Sequence, residues 1–331
     1  MTVRIGINGF GRIGRSYLRA ALRSDIDVEV VAVNDVADTT TLATLLEWDS
    51  VTGHLDGVSV EDHAILVDGK PIRVTTERDP AAIAWGDVGV DVVIESTGHF
   101  TDGLGARKHL SAGARKVIIS APADAEVPAL VLGVNDEVIH DSDEIVSNGS
   151  CTTNCLAPMV KVLHDAFGVE SGLMTTIHAY TSDQRLHDAP HQDLRRARAA
   201  GLSTIPTSSG AAKTIGRIIP ELDGRLTAAS LRVPVPVGSI TDLTARLTRP
   251  ATADEVNAAF RDAAATPQLS RYLQYSEAPL VSTDIVGNPH SAIFDAPLTQ
   301  VVGDQVKIFA WYDNEWGFSN RLVELSERIG A

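Results

Sequence analysis

Residues 3–14 constrain this chain more than any other stretch: an apolar strand candidate, Val-Arg-Ile-Gly-Ile-Asn, runs straight into Gly9-Phe10-Gly11-Arg12-Ile13-Gly14. A helical pattern follows, with Ile13, Tyr17, Leu18 and Leu22 apolar. Strand, glycine turn and helix in that order open a parallel βαβ unit able to hold a dinucleotide. Gly9 makes the turn, Gly11 lets a pyrophosphate approach, and Gly14 packs helix on strand. The phosphates would lie at the helix N-terminus. Alone the glycines are a weak signal, since such patterns also occur as tight turns without a ligand. A second cue strengthens them. Residues 28–33 form an apolar strand ending in Asn34-Asp35, at the distance beyond the last glycine where an acid accepts hydrogen bonds from the adenosine ribose. A carboxylate there repels a 2′-phosphate. Asp35 can otherwise be read as a helix cap or a turn residue.

The alternation continues less cleanly. Residues 64–67 and 71–74 flank Asp68-Gly69-Lys70 and read as a hairpin, which predicts an antiparallel insertion. Residues 91–95 resume the buried parallel pattern and end in Ser96-Thr97-Gly98, residues 101–112 read as a helix, and residues 116–120 as another strand. Open parallel sheets bind ligands at the carboxyl ends of their strands, so Thr97, Gly98 and Ser120 are candidates for the nicotinamide side. Ordinary turn chemistry is the alternative for each.

Residues 147–158 read Ser-Asn-Gly-Ser-Cys-Thr-Thr-Asn-Cys-Leu-Ala-Pro. A short apolar strand precedes them, and Leu156, Met159, Val160, Leu163 and Phe167 follow at helical spacing. Cys151 therefore falls at or near a helix N-terminus, where unpaired N–H groups and the positive dipole end favour the thiolate that attacks carbonyl carbon. Ser150 or Thr152 can cap the helix as well as bind a ligand. A buried structural cysteine behind a capping serine is the plainer alternative.

Beyond this helix the pattern changes. Residues 172–181 alternate like a half-exposed strand carrying His178, and 231–237, 240–247 and 306–311 are further strands, with helical segments at 211–218 and 253–264. Strands with few helices between them predict a largely antiparallel sheet with helices on one face. Residues 182–203 form a long polar connection with Arg185, Arg195, Arg196 and Arg198, which predicts a working loop or an interface. Residues 319–329 read as an amphipathic helix. The 331-residue length suggests two domains. No apolar run approaches the roughly 18 residues of a membrane span, and the chain starts directly into a strand, so neither a span nor a secretion signal is expected. The only two cysteines lie four apart and fit a reducing compartment, with the cytoplasm as default. A formal net charge of -15 argues against binding nucleic acid or anionic membrane by bulk attraction. Any anionic substrate must then be held by local arginines.

In the same order and along essentially its whole length, the sequence resembles phosphorylating, NAD-dependent glyceraldehyde-3-phosphate dehydrogenase of glycolysis. The resemblance rests on residues 8–15, 32–35, 95–98, 147–158, 178–181, 193–199, 210–213, 232–234 and 311–321. Its Ser-Cys-Thr-Thr-Asn-Cys run is highly specific; the glycine fingerprint only confirms it. The resemblance implies an α/β chain: a Rossmann-type NAD-binding domain over residues 1–150, with the terminal helix 315–331 packed back on it, and an α+β catalytic domain with a mostly antiparallel sheet over residues 151–314. It implies a homotetramer in which the arginine-rich loop approaches a neighbour's cofactor.

It also implies roles. Cys151 attacks the aldehyde of D-glyceraldehyde 3-phosphate, and His178 keeps the thiol ionised and takes the thiohemiacetal proton as hydride leaves. Inorganic phosphate then resolves the thioester to 1,3-bisphosphoglycerate. NAD is held by Gly9, Gly11, Arg12, Ile13, Gly14, Asp35, Arg78, Thr97, Ser120 and Asn314, and no metal is implied. The substrate phosphate falls to Thr181 and Arg232, and inorganic phosphate to Ser150, Thr152, Ser209 and Gly210, with Arg196 contributing. Four residues depart from the common pattern: Gly149 for alanine, Ser209 for threonine, Phe318 for tyrosine, and Ala189 for a bulkier leucine near the adenosine ribose, which bears on exclusion of NADP. A relative that oxidises erythrose 4-phosphate, resolving the thioester with water, is an alternative; its ribose-side acid tends to be glutamate, and Asp35 speaks against it. A catalytically silent binding or redox-sensing protein is a third reading, opposed by the intact Cys151, His178 and Arg232.

Overall fold

A computed structural model describes residues 2–330. The chain divides into two compact units, one of residues 2–130, 137–149 and 319–330, the other of residues 131–136 and 150–318.

The first unit opens with β1 (Val3–Asn8), α1 (Arg12–Arg23), β2 (Val28–Asn34) and α2 (Thr39–Glu47). A small ribbon, β3 (Trp48–Asp49) and β4 (Gly53–His54), leads to β5 (Val58–Glu61), β6 (Ala64–Val67) and β7 (Lys70–Thr75). Then come β8 (Val92–Glu95), α3 (Gly103–Ser111), β9 (Lys116–Ile119) and β10 (Ile145–Ser147). Eight strands form one sheet in the order β10-β9-β8-β1-β2-β7-β6-β5. From β10 to β7 all neighbours are parallel; β6 and β5 return antiparallel. Parallel strands covered on both faces are largely apolar, and β8 is buried at every residue, Val92, Val93 and Ile94 followed by Glu95 at its end.

The structure corrects two local expectations. Asp68-Gly69 alone make the hairpin turn, at φ +49° and +77°, and β7 joins β2 in parallel, so that only β5 and β6 are the antiparallel addition. Leu22, expected on the apolar face of α1, is about half exposed, while Tyr17 and Leu18 fill the core. The last helix, α7 (Trp316–Gly330), returns residues from 319 onward to this unit. Tyr17 Oη donates to Ser326 Oγ at 2.9 Å, and Leu322, Val323 and Leu325 are buried.

The second unit contains α4 (Cys151–Phe167), β11 (Val169–Ala179), β12 (Ile205–Ser208), α5 (Ala211–Ile218), β13 (Leu226–Val233), β14 (Ser239–Leu247) and α6 (Ala253–Ala264). Four shorter or later strands follow, β15 (Leu273–Ser276), β16 (Ala292–Asp295), β17 (Gln300–Val302) and β18 (Gln305–Tyr312). Their order is β12-β13-β11-β14-β18-β16-β15, with β17 on β18. Most neighbours are antiparallel; β11 with β13 and β15 with β16 are parallel. The strand expected over 231–237 begins earlier and stops at Val233, because Pro234 and Pro236 cannot donate to a ladder. Residues 182–203 carry neither helix nor strand, as their composition predicts. Among the described residues no helix is long and apolar enough to cross a membrane.

Candidate active site

The site in the second unit grows from the start of α4. Ser150 is the N-cap: its Oγ accepts from the Thr153 N–H at 3.1 Å, satisfying a donor that the first helical turn leaves free. Cys151 is therefore the first helical residue. Its Sγ lies 3.4 Å from His178 Nε2. His178 is the penultimate residue of β11, and the parallel register of β11 and β13 sets it directly beside Arg232. Arg232 Nη1 approaches His178 Nδ1 at 2.7 Å and donates to the Ala179 carbonyl at 3.1 Å. Guanidinium only donates, so in this arrangement Nδ1 is bare and the ring proton sits on Nε2, facing the sulfur. Nδ1 also lies 2.7 Å from the Ala179 carbonyl, the acceptor it uses in the other tautomer.

Electrostatically the pair is held toward neutrality. Burial raises the Cys151 thiol, against the pull of Arg232 and of hydrogen bonds from Thr152. Burial, and then Arg232, lowers His178 to about 3. Desolvation thus works against the thiolate–imidazolium pair that the helix terminus alone favours. Tyr312 backs the site: its ring meets His178 edge-on at 5.8 Å, and its hydroxyl bridges Thr152 Oγ1 at 2.9 Å and Thr176 Oγ1 at 2.7 Å.

Two of the candidate phosphate residues, Thr181 and Arg196, form a second cluster, organised by a group that sequence reasoning missed. Asp183 accepts from the Thr181 hydroxyl with one carboxylate oxygen and from Arg196 with the other. Arg196 Nε donates to Thr207 Oγ1 at 3.0 Å, and that hydroxyl donates to Asp193 at 2.8 Å. The available signal was an acid two residues after Thr181, within reach of its hydroxyl. Burial opposes ionisation of Asp183, but Thr181 and the two arginines 196 and 232 outweigh it and lower its carboxyl. Ser209 Oγ accepts from Ala211 N–H at 3.3 Å and Gly210 caps α5; among the described residues neither shares a hydrogen bond with the Cys151 cluster. Asn314 Oδ1 accepts from Gly238 N–H at 3.2 Å and Ser239 Oγ–H at 3.0 Å, which leaves its Nδ2 hydrogens to donate elsewhere. Ser239 Oγ in turn accepts from Ala179 N–H at 3.1 Å, so Asn314 is tied to the residue beside His178.

The glycine loop of the first unit fits a dinucleotide. Gly9 has φ +90°, and a Cβ there would lie 2.7 Å from Thr97 N. At Gly14 it would meet the Gly9 carbonyl at 2.4 Å, whereas at Gly11 it would meet nothing within 4 Å. Backbone is packed on either side of an open cradle. Asp35 Oδ2 accepts from Phe10 N–H at 2.8 Å, joining the end of β2 to the loop. Ile13 is half-buried, and the Arg12 side chain is held by Asp49. Thr97 donates to Glu95 through its N–H at 2.8 Å and through its hydroxyl. Ser120 Oγ donates to the Glu95 carbonyl at 2.9 Å, and Arg78 is exposed on the loop after β7.

The family model for the NAD binding domain of glyceraldehyde 3-phosphate dehydrogenase matches residues 3–103, and that for its C-terminal domain matches residues 150–314. The chain is 58% identical over 332 residues to glyceraldehyde-3-phosphate dehydrogenase 1 of Streptomyces avermitilis, covering 100% of this chain and 99% of that one. It is 58% identical over 333 residues to the second such enzyme of Streptomyces arenae and over 337 residues to that of Mycobacterium avium, with the same coverage.

Proposed function

The chain belongs to the glyceraldehyde 3-phosphate dehydrogenase family, and on that premise we propose how its residues divide the NAD-dependent oxidation and phosphorylation of D-glyceraldehyde 3-phosphate. One observation carries the assignment: the Cys151 sulfur at the N-terminus of α4, 3.4 Å from the imidazole of His178.

Cys151 is the nucleophile. Its sulfur bonds to the aldehyde carbon, the thiol proton passes to His178 Nε2, and the new alkoxide takes that proton to give a thiohemiacetal. Nε2 must be bare to do this, which places the ring proton on Nδ1, donating to the Ala179 carbonyl. A substrate phosphate that engages Arg232 removes the cation that otherwise occupies Nδ1. His178 then withdraws the hydroxyl proton as the carbon becomes a thioester carbonyl. Bound NAD supplies the acceptor for the departing hydride. Inorganic phosphate attacks the thioester carbon, sulfur leaves as thiolate, and the product is 1,3-bisphosphoglycerate. A thioester suits this last step because, unlike an oxygen ester, it stays activated toward an anionic nucleophile.

Thr181 and Arg232 hold the phosphate of the sugar, with Asp183 presenting Thr181 and Arg196. Ser150, Thr152, Ser209 and Gly210 receive inorganic phosphate, Arg196 contributing charge. Gly9, Gly11, Arg12, Ile13, Gly14, Asp35, Arg78, Thr97 and Ser120 hold NAD, and the free Asn314 Nδ2 donates to its carboxamide. We further propose a homotetramer in the cytoplasm. Leu186, Leu194 and Leu202 are each 80% or more exposed on the arginine-rich loop, and covering them against a second copy of this chain supports that reading. Both thiols are free, as a reducing compartment requires.

NADH formation from D-glyceraldehyde 3-phosphate and from erythrose 4-phosphate, each with and without inorganic phosphate, tests the reading. Turnover on the triose is expected to depend on phosphate. Phosphate-independent turnover, or preference for erythrose 4-phosphate, refutes it.

A further inference from the structure

The carboxyl edge of the parallel sheet carries a row of buried polar side chains that hydrogen-bond one another and the loops that follow their strands. Asn8, Asn34 and Glu95 end β1, β2 and β8, and strand register sets Asn8 beside both of the others. All three are 3% exposed or less. Behind them, Trp85 Nε1 donates to His109 Nδ1 at 3.0 Å. Indole N–H is only a donor, so Nδ1 is bare and the His109 proton sits on Nε2, which donates to Glu95 Oε2 at 3.0 Å. Asn8 Nδ2 donates to the same oxygen at 2.6 Å. Glu95 Oε1 accepts from the N–H and the hydroxyl of Thr97.

From Asn8 the row runs the other way. Asn34 Nδ2 donates to Asn8 Oδ1 at 2.8 Å and to the Glu77 carbonyl at 2.9 Å. Asn34 Oδ1 accepts from Thr75 Oγ1 and from Glu77 N–H, both at 2.8 Å. Glu95 thus receives four donors, and Asn34 makes four hydrogen bonds. Neither keeps an atom for a ligand, yet each ends on a loop, one carrying Thr97 and the other Arg78.

Fold alone gives little reason for such a row. The donors around Glu95 are all neutral, and an unpaired carboxylate buried among them is costly compared with the valines and isoleucines that fill the neighbouring strands. A fully satisfied buried polar network does, however, fix one geometry. We propose that Glu95 and Asn34 are positioning residues of the cofactor site, Glu95 fixing the Thr97 loop and Asn34 the Arg78 loop, neither touching the cofactor. The proposal rests on the reading that Thr97 and Arg78 contact NAD.

Full-length variants decide it, with NAD, and ADP as the adenosine-half probe, measured by calorimetry. Glu95→Gln keeps the shape but turns an amide N–H toward donors. It is expected to weaken NAD about tenfold, the loss of a buried hydrogen bond, with ADP within about twofold. Asn34→Asp, which sets oxygens against Asn8 Oδ1 and the Glu77 carbonyl, is expected to weaken NAD and ADP alike by about tenfold. At saturating NAD both variants keep the first-turnover rate within about threefold and the rate of Cys151 alkylation unchanged. Trp85→Phe and Thr75→Val, which remove one outer donor each, are milder substitutes if either variant does not fold; each is expected to show the same pattern at about threefold. Unchanged NAD affinity in folded variants overturns the proposal, and so does equal loss of NAD and ADP in Glu95→Gln, which signals general loosening. Thr97→Ala and Arg78→Ala separate the underlying reading: if both leave NAD affinity intact, those contacts are misassigned.

Discussion

Cys151 and Cys155 stand one turn apart on α4, and their surroundings predict opposite fates toward iodoacetamide. Cys155 is fully buried, its Sγ 3.7 Å from the Ala310 carbonyl and 3.9 Å from Met159 Sδ, and burial pushes its thiol up to about 12. At pH 8 such a group is thiolate to about one part in 10⁴, against roughly one in four for an ordinary cysteine near 8.5. Alkylation runs through the thiolate, so ionisation alone slows Cys155 by roughly 10³-fold before access is counted. Cys151 is partly exposed, and although burial raises its thiol too, Arg232 and the helix start pull it back. Intact mass and peptide mapping should therefore find one label, on Cys151, with NADH formation lost in proportion. Cys155→Ala is expected to keep most activity while losing about 1 to 2 kcal/mol of stability, because a buried atom leaves a packed site. Label on Cys155, or loss of activity in a folded Cys155→Ala, would refute the assignment of a single nucleophile.

Arg232→Ala should raise KM for the sugar phosphate far more than for inorganic phosphate, whereas Ser209→Ala should slow the phosphate-dependent step and spare the first equivalent of NADH; stopped-flow traces showing the reverse would mean the two sites are exchanged. Asp35→Gly should raise NADP use and weaken NAD, since it removes a like charge worth several kcal/mol against a 2′-phosphate and also the acceptor of Phe10 N–H; equal use of both cofactors by the unmodified enzyme contradicts this placement. For Asp49, burial raises the carboxyl, but the Thr52 N–H, Arg12 and the Val51 N–H outweigh it and lower it to about 2. The unfolded chain then binds the proton more tightly, so the contribution is present above about pH 4 and is lost as pH falls through 2. Discounting for solvent screening, Asp49→Asn should cost about 1 to 2 kcal/mol at pH 7. In denaturant titrations that deficit should shrink between pH 4 and 2; a constant deficit excludes the ion pair as its source.

Local signals were legible because their causes are local. A glycine at φ +90° between strand and helix, a serine that caps its own helix, and apolar residues at 3.6-residue spacing are all contained within a dozen residues. They located the cradle, α4 and Cys151 without any knowledge of packing. Shorter or weaker patterns were not legible: α2, β12, β15, β16 and β17 owe their conformation to the sheet or core they join. What only the tertiary structure decided is adjacency between distant segments. Parallel register of β11 and β13 sets Arg232 against His178, 54 residues away, and an irregular loop turns Asp183 toward both Thr181 and Arg196. Strand ends aligned at one edge join Asn8, Asn34 and Glu95 into a single row. Such registers depend on which strands pair and how they align, a choice made by the whole core at once, and burial of the Cys151–His178 pair, which sets its ionisation, follows from the same choice.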